Sequence, residues 1–421
     1  MNFFPQLKSD RWVTFELIFI SLMILSLPSF EAPKNIFLIL FVVLASLRHL
    51  ITGSTEAWRT WDSIFLSILI SGFLSTIFAG LSPGDEWKGF RVLLTFISVG
   101  WLLYRSNYSN KQISWLFGLT IIAVIPPLCW GLWEYLVLHS KDALQLHSVG
   151  HVNHSAIYLT IIFGASLGLT LSIWGRSNTL NKLVLFLLPC LFYMSLVIGQ
   201  SRAAFGIGTL MGITYIYLLA PSKKIKWIGF SILSLVMVGI FFLNAPILQK
   251  QIENKNNHNV LSGRGAIWNT TIEAARLYPI LGIGIDNRAN VTKDIIKESI
   301  EARHEVFDET HYDFTFKHSH SFYLTQLAER GALGSLVTLT FILIWLGTLA
   351  RHFLHKKLTG QALYLWTGSA SAWLATFGIG FVNTTFHHEH GILACVFLGL
   401  HLAFLNNQQK KPNLGQMDHG H

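Results

Sequence analysis

Apolar positions in this chain fall into long continuous runs, not into the alternation of strands or the spaced stripes of soluble helices. A helix needs roughly 20 mostly apolar residues to cross a bilayer, and about twelve runs approach that length. They are Trp12–Phe30, Asn35–Ile51, Ser63–Leu81, Phe90–Tyr104, Ile113–Leu138, Ala156–Trp174, Leu183–Ile198, Ala204–Leu219, Ile225–Asn244, Gly331–Ala350, Ala362–Phe381 and Ile392–Phe404. The fourth is short for a span, and Pro126-Pro127 interrupts the fifth. Most connections are short, so the pattern predicts an all-α polytopic membrane protein.

One connection is different. A polar stretch of roughly 75 residues separates Asn244 from His320, and a long insertion in a compact protein is usually functional. Two helix-like patterns lie within it, Ala266–Tyr278 and Lys293–Phe307. The expected organisation is a membrane bundle over 1–244 with about nine helices and a loop domain or lid over 245–320. About three further spans over 321–406 and a tail over 407–421 complete it.

Composition removes the soluble alternatives. At 421 residues the chain is 52% hydrophobic and 13% charged, with a mean hydropathy of +0.47. The net charge of +9 sits in short loops beside apolar runs, which marks membrane topology and not a nucleic-acid surface. Cys129, Cys190 and Cys395 lie in or beside apolar runs, so no disulfide framework is implied. Lys8 and Arg11 precede the first run without a small-residue cleavage site after it, so that run is expected to stay as a span.

Charge in alternate connections orients the chain. One set holds Lys8 and Arg11, Arg48 and Arg59, Arg105 and Lys111, Arg176 and Lys182, then Lys223, Lys224 and Lys226. It ends with Arg351, Lys356 and Lys357, and with Lys410 and Lys411. The other set holds Glu31 and Lys34, Asp85, Glu86 and Lys88, Lys141 and Asp142, and Glu389. Basic residues in short loops stay in the cytoplasm. Both termini are then expected inside and the long loop outside.

Of the 18 histidines, 12 fall on the outer side. Their ordinary reading is interfacial polarity. His147-x₃-His151-x₂-His154 and His387-His388-Glu389-His390 invite a metal, yet neither spacing matches a closed zinc pattern, so no metal is assigned. Outer arginines are more pointed. Arg202 lies in a tight turn between two runs, where charge near lipid depth is costly. Arg264, in Ser262-Gly263-Arg264-Gly265 with Trp268 beyond, stands at a probable helix N-terminus suited to an anion. Arg288 follows a Gly-Ile-Gly segment and is a weaker candidate. Either arginine could instead be a snorkelling or loop-capping residue.

Where the loop re-enters the membrane the sequence reads Lys317-His318-Ser319-His320-Ser321, followed by Gly331 and Gly334. This resembles the bacterial O-antigen ligases and, more loosely, the O-antigen polymerases. They share a His-[Asn/Ser/Gln]-x₉-Gly-x₂-[Gly/Thr/Tyr] pattern after a large periplasmic loop. His320, Ser321, Gly331 and Gly334 fit it; His318 does not, because Glu329 stands where glycine would be needed. The resemblance implies a GT-C-like glycosyltransferase of the inner membrane with no cofactor. Its donor would be a glycan on undecaprenyl pyrophosphate and its acceptor a lipid A–core sugar. It further implies Arg202, Arg264 and His320 as catalytic residues, with Arg288, His318, Trp268 and Ser321 near substrate.

The residue types suit that chemistry. Arginines offer bidentate contacts to phosphate oxygens, and a neutral imidazole can take a hydroxyl proton at neutral pH. A polymerase, a protein O-oligosaccharyltransferase and a histidine-rich permease are the alternatives. A permease would be expected to carry charges near mid-membrane, whereas the ionisable residues here gather at the outer ends, apart from Glu134 near the end of the fifth run. The orientation has a direct check. In a background lacking the three native cysteines, Asn256→Cys should react with an impermeant thiol reagent in intact spheroplasts and Gln408→Cys should not. The reverse pattern overturns it.

Overall fold

The computed structural model describes residues 9–52, 57–146, 149, 151–242, 249, 252, 263–355 and 358–410. His147, Asn256, His258, Ser262 and, from the basic set, Lys8, Lys356, Lys357 and Lys411 lie outside them. The protein is all-α, with no strand among the described residues. Its first ten helices are α1 (Ser9–Ser26), α2 (Glu31–Thr52), α3 (Thr60–Ile77), α4 (Glu86–Tyr104), α5 (Asn110–Ile122), α6 (Ile125–Leu136), α7 (Val152–Ile173), α8 (Thr179–Ile198), α9 (Arg202–Leu219) and α10 (Lys223–Phe242). Two helices of the long connection follow, α11 (Arg264–Leu277) and α12 (Lys293–Glu301), and then α13 (Phe322–His355), α14 (Gln361–Trp373) and α15 (His388–Lys410).

Nine helical segments among the described residues are long and apolar enough to cross a membrane. The three other expected runs are helical but fall short of that standard for visible reasons. Within α1 stand Asp10, Arg11 and Glu16; within α4 stand Glu86, Lys88 and Arg91. Helix α14 ends after 13 residues, and its run continues as a π-helical turn over Leu374–Gly378. In the fifth run the prolines open a helix instead of breaking one: they occupy the first turn of α6, where missing N–H groups cost nothing.

Helices α7 and α15 form the centre, with 83% and 89% of their spanning windows buried, against 6% for α10 at the edge. Side chains of Trp227, Leu235, Phe241 and Phe242 on α10 face outward, as lipid contact requires. Polar contacts join residues assigned to the same side. Arg59 reaches Asn406 and Gln409, and Gln361 donates to the Asn110 carbonyl at 2.7 Å. At the other end Lys34 pairs with Glu389 at 2.5 Å, and Lys88 lies 3.5 Å from Asp286.

More ionisable groups are buried within the helices than the sequence suggests. Glu16 pairs with Arg48 and Asp62 with Arg105, and His352 and His401 share a 2.8 Å contact. These groups stand at the ends of the runs assigned to the cytoplasmic side, so the expectation that ionisable residues, Glu134 apart, gather at the outer ends is corrected. A lone buried charge is expensive, and these groups are retained because each has a partner.

The position of the outer layer is set by a break in α13. The expected span began at Gly331, but the helix starts at Phe322 and is interrupted at Gly331, whose φ is +61°. A break strips helical partners from the neighbouring carbonyls and N–H groups, which must then bond elsewhere. Segment 279–284 of the outer layer supplies them. Ile283 N–H donates to the Ala328 carbonyl (2.9 Å) and Gly284 N–H to Glu329 (3.1 Å); Ala332 N–H donates to Pro279 (2.8 Å) and Leu333 N–H to Ile280 (3.1 Å). The same segment accepts from Gly80 and Leu81 at 3.2 Å each, after α3. Asn287 completes the attachment, accepting from Asp85 N–H (2.7 Å) and donating to the Leu81 and Ile283 carbonyls and to Glu86. Below the break Arg330 is buried, its guanidinium bonded to Gln326, Ser71 and the Ile68 carbonyl.

Backbones this close leave no room for a side chain. A Cβ on Gly331 would stand 2.4 Å from the Ile280 carbonyl, and one on Gly282 2.4 Å from that of Glu329. Gly331→Ala is therefore expected to destabilise the protein by about 2–4 kcal/mol, from the strained φ together with the overlap. Gly347→Ala, at a position open on all sides, should leave stability unchanged. Thermal unfolding of the two purified variants compares them directly, and equal midpoints would dismiss the clasp as a stability element.

Candidate active site at the outer face

Arg202 and Arg264 are each the first residue of a helix, α9 and α11. This is the wrong end for a cation, since helix N-termini carry partial positive charge and favour anions. Gly263, with φ of +76°, turns the chain into α11. The two guanidiniums lie within each other's field. Burial and then the Arg202 charge hold Arg264 below the ordinary guanidinium range. Two like charges held in each other's field suit a multiply charged anion.

His320 lies in the field of Arg264. Burial first, and then Arg264 and His318, push it down to about 4, so it is neutral at physiological pH. Its backbone is left-handed at φ +51°, and so are Gln200 beside Arg202, and Phe386 and His388 on the facing turn. Non-glycine residues tolerate that region only where their surroundings enforce it, and such strain gathers at functional sites. Around His320 the enforcement is plain. Phe322 N–H donates to the carbonyls of Gly380 (2.8 Å) and Asn383 (3.1 Å), pinning the turn to the segment after α14. Ser319 Oγ donates to the Ser321 carbonyl at 2.6 Å.

The other expected site residues take varied positions. Trp268 lies one turn beyond Arg264 on the same face of α11, and its indole N–H is buried with no acceptor among the described residues. It is a donor waiting for a partner. His318 is partly buried, held below its usual range chiefly by burial, and stacks on His387 at 5.8 Å. Ser321 is buried, and its hydroxyl accepts from Leu324 N–H (3.4 Å) at the start of α13. Arg288 is 2% exposed, donating to the Thr271 hydroxyl (3.2 Å) and the Asp313 carbonyl (3.0 Å). These bonds brace α11 against the loop that leads to His320.

Sequence distance hid one association. His154 on α7 lies beside His387 and His390, ring centres 4.8 and 5.5 Å away, so two separate histidine clusters form one group. Ser201 donates to Asn153 at 3.2 Å and thereby ties the start of α9 to that of α7. The start of α15, at His388, faces His154 with ring centres 5.2 Å apart.

Residues 183–339 match the family model described as O-antigen ligase. This chain carries an O-antigen ligase family domain. The matched interval holds Arg202, Arg264, Trp268, Arg288, His318, His320, Ser321, Gly331 and Gly334, and it leaves out His154, His387 and His390. No curated protein gives a significant match to the chain. The O-antigen ligase family implies a multi-span membrane enzyme that transfers glycans, with lipid-linked glycans as its substrates.

Proposed function

We propose that the protein is an O-antigen ligase of the bacterial inner membrane, with both termini cytoplasmic and its site facing the periplasm. It transfers O-antigen from undecaprenyl pyrophosphate to a lipid A–core sugar hydroxyl and so completes lipopolysaccharide. The observation that carries this reading is the pair of arginines at two helix N-termini, each in the other's field, with Arg264 also in electrostatic reach of the neutral His320 and all three inside the matched domain.

Arg202 and Arg264 bind the pyrophosphate, and their charge stabilises the negative charge that grows on it as the anomeric carbon–oxygen bond breaks. The acceptor hydroxyl oxygen forms the new bond to that carbon from the opposite face, with inversion. His320 takes the hydroxyl proton. Trp268 offers its indole N–H to the donor, while His318, Ser321 and Arg288 hold the surrounding elements in place. The reading assigns no step to a metal, because the arginines supply the countercharge.

Incubating the purified protein with lipid-linked glycan and rough lipopolysaccharide should give ligated product. Longer lipid-linked chains from donor alone would instead indicate a polymerase. Substitutions at the three residues should fail differently. Arg202→Lys and Arg264→Lys keep charge but lose the planar fork, so donor binding should weaken severely. His320→Ala should slow transfer by ~10²–10⁴-fold and leave donor binding largely intact. Transfer by His320→Ala at the wild-type rate would remove it from the mechanism.

The pH dependence follows from the charges around His320. Burial and Arg264 disfavour its protonated form, so kcat/KM, which reports the free enzyme, should lose activity only as pH falls well below the ordinary imidazole range. Bound pyrophosphate is negative and favours the protonated form. The acid limb of kcat should therefore lie at higher pH than that of kcat/KM. Coincident limbs, or a kcat limb at lower pH, would mean that donor charge does not reach the base.

A further inference from the structure

We propose that His154, His387 and His390 form a binding site for a divalent transition metal, Zn²⁺ first among them, at the junction of α7, α15 and the turn before α15. One ring nitrogen from each lies within 4.8 Å of those of the other two. Three imidazoles around one point make a donor set of borderline softness, which suits Zn²⁺, Co²⁺, Ni²⁺ or Cu²⁺; Mg²⁺ and Ca²⁺ prefer oxygen. With Zn–N bonds of 2.0–2.1 Å, tetrahedral ligand nitrogens stand roughly 3.4 Å apart. The imidazoles need to close by roughly an ångström, within the reach of small side-chain rotations.

Two further observations point to a ligand. His390 is 1% exposed, and its Nε2 has no hydrogen-bond partner among the described residues. A buried polar nitrogen left unbonded costs stability, and a metal would satisfy it. His387 Nε2 lies 2.9 Å from the Thr384 carbonyl. A carbonyl can only accept, so the proton is on Nε2 and the lone pair on Nδ1. Fixing a ligand's tautomer through a backbone carbonyl is the usual support behind a metal-bound histidine.

The surroundings leave the site open to a cation. The carboxylate between His388 and His390, Glu389, is engaged by Lys34 at 2.5 Å. His388 is exposed on the rim, leaving a fourth position for water or for its own imidazole. Because His387 stacks on His318, the metal would brace the turn that carries His320. The site itself does not depend on the transfer reaction, and its test reads metal alone.

The full chain, purified with an affinity tag free of histidine, is analysed for metal content and titrated with Co²⁺ while visible absorption is followed. Wild type should bind about one equivalent with a tetrahedral d–d band. His154→Ala and His390→Ala should weaken binding beyond the roughly 100-fold typical of losing a supporting partner. His139→Ala, outside the triad, should bind like wild type. His154→Cys should retain cobalt and add a thiolate charge-transfer band, which misfolded protein would not show. Absence of a cobalt band in wild type, or an unchanged band in His390→Ala, would overturn the proposal.

Discussion

The break in α13 at Gly331 is the constraint on which the outer half of the molecule depends. An uninterrupted helix would consume its own hydrogen-bonding groups and offer the outer layer nothing but side chains. Interrupted, it presents two carbonyls and two N–H groups to residues 279–284. Each such bond contributes about 0.5–1.5 kcal/mol net. The outer layer needs them, because its own apolar core is small: Ala274, Ala275, Ile283, Val291, Ile296 and Ile300, closed by Ala328 from α13 itself. A layer with so little interior holds its place by being bonded to something larger.

That attachment determines where the charges stand. Helix α11 begins with Arg264 and is fixed through Thr271, Arg288 and the Asp313 carbonyl to the strand of chain leading to His320. Arg202 enters from the bundle, on α9. The clasp thus brings a cation from the outer layer near a cation from the membrane, against their mutual repulsion. In the proposed reaction, a bound diphosphate would relieve that repulsion.

Much of this was legible in the sequence, and the physics explains which parts. Long apolar runs give helices because nothing else crosses a bilayer with its backbone satisfied, and every expected run is helical. The loop helix expected over Ala266–Tyr278 is α11, which begins two residues earlier and ends one earlier. The one expected over Lys293–Phe307 stops at Glu301, and His304 just beyond it has left-handed φ. The glycines of the His320 motif were visible as residues, but their reason was not. Gly331 is required by a segment some 50 residues away whose approach no local pattern encodes, and Gly334 by the side chain of Arg330 folded against it. The same holds for His154 and His387, which only the packing of α7 on α15 brings together. Ser321 and Arg288 read as candidate substrate contacts from residue type alone; their burial, and their bonds to Leu324 N–H, the Thr271 hydroxyl and the Asp313 carbonyl, come only with the fold.

A joint made from main-chain groups has little interest in which side chains flank it. Any residue can supply the N–H of position 283 or the carbonyl of position 280, and only the glycines are dictated by space. The exposed surface of α11 and α12 is correspondingly free to change without loosening the layer beneath it. A surface that can be rewritten over a fixed joint of peptide bonds can change what it presents without changing how it is held.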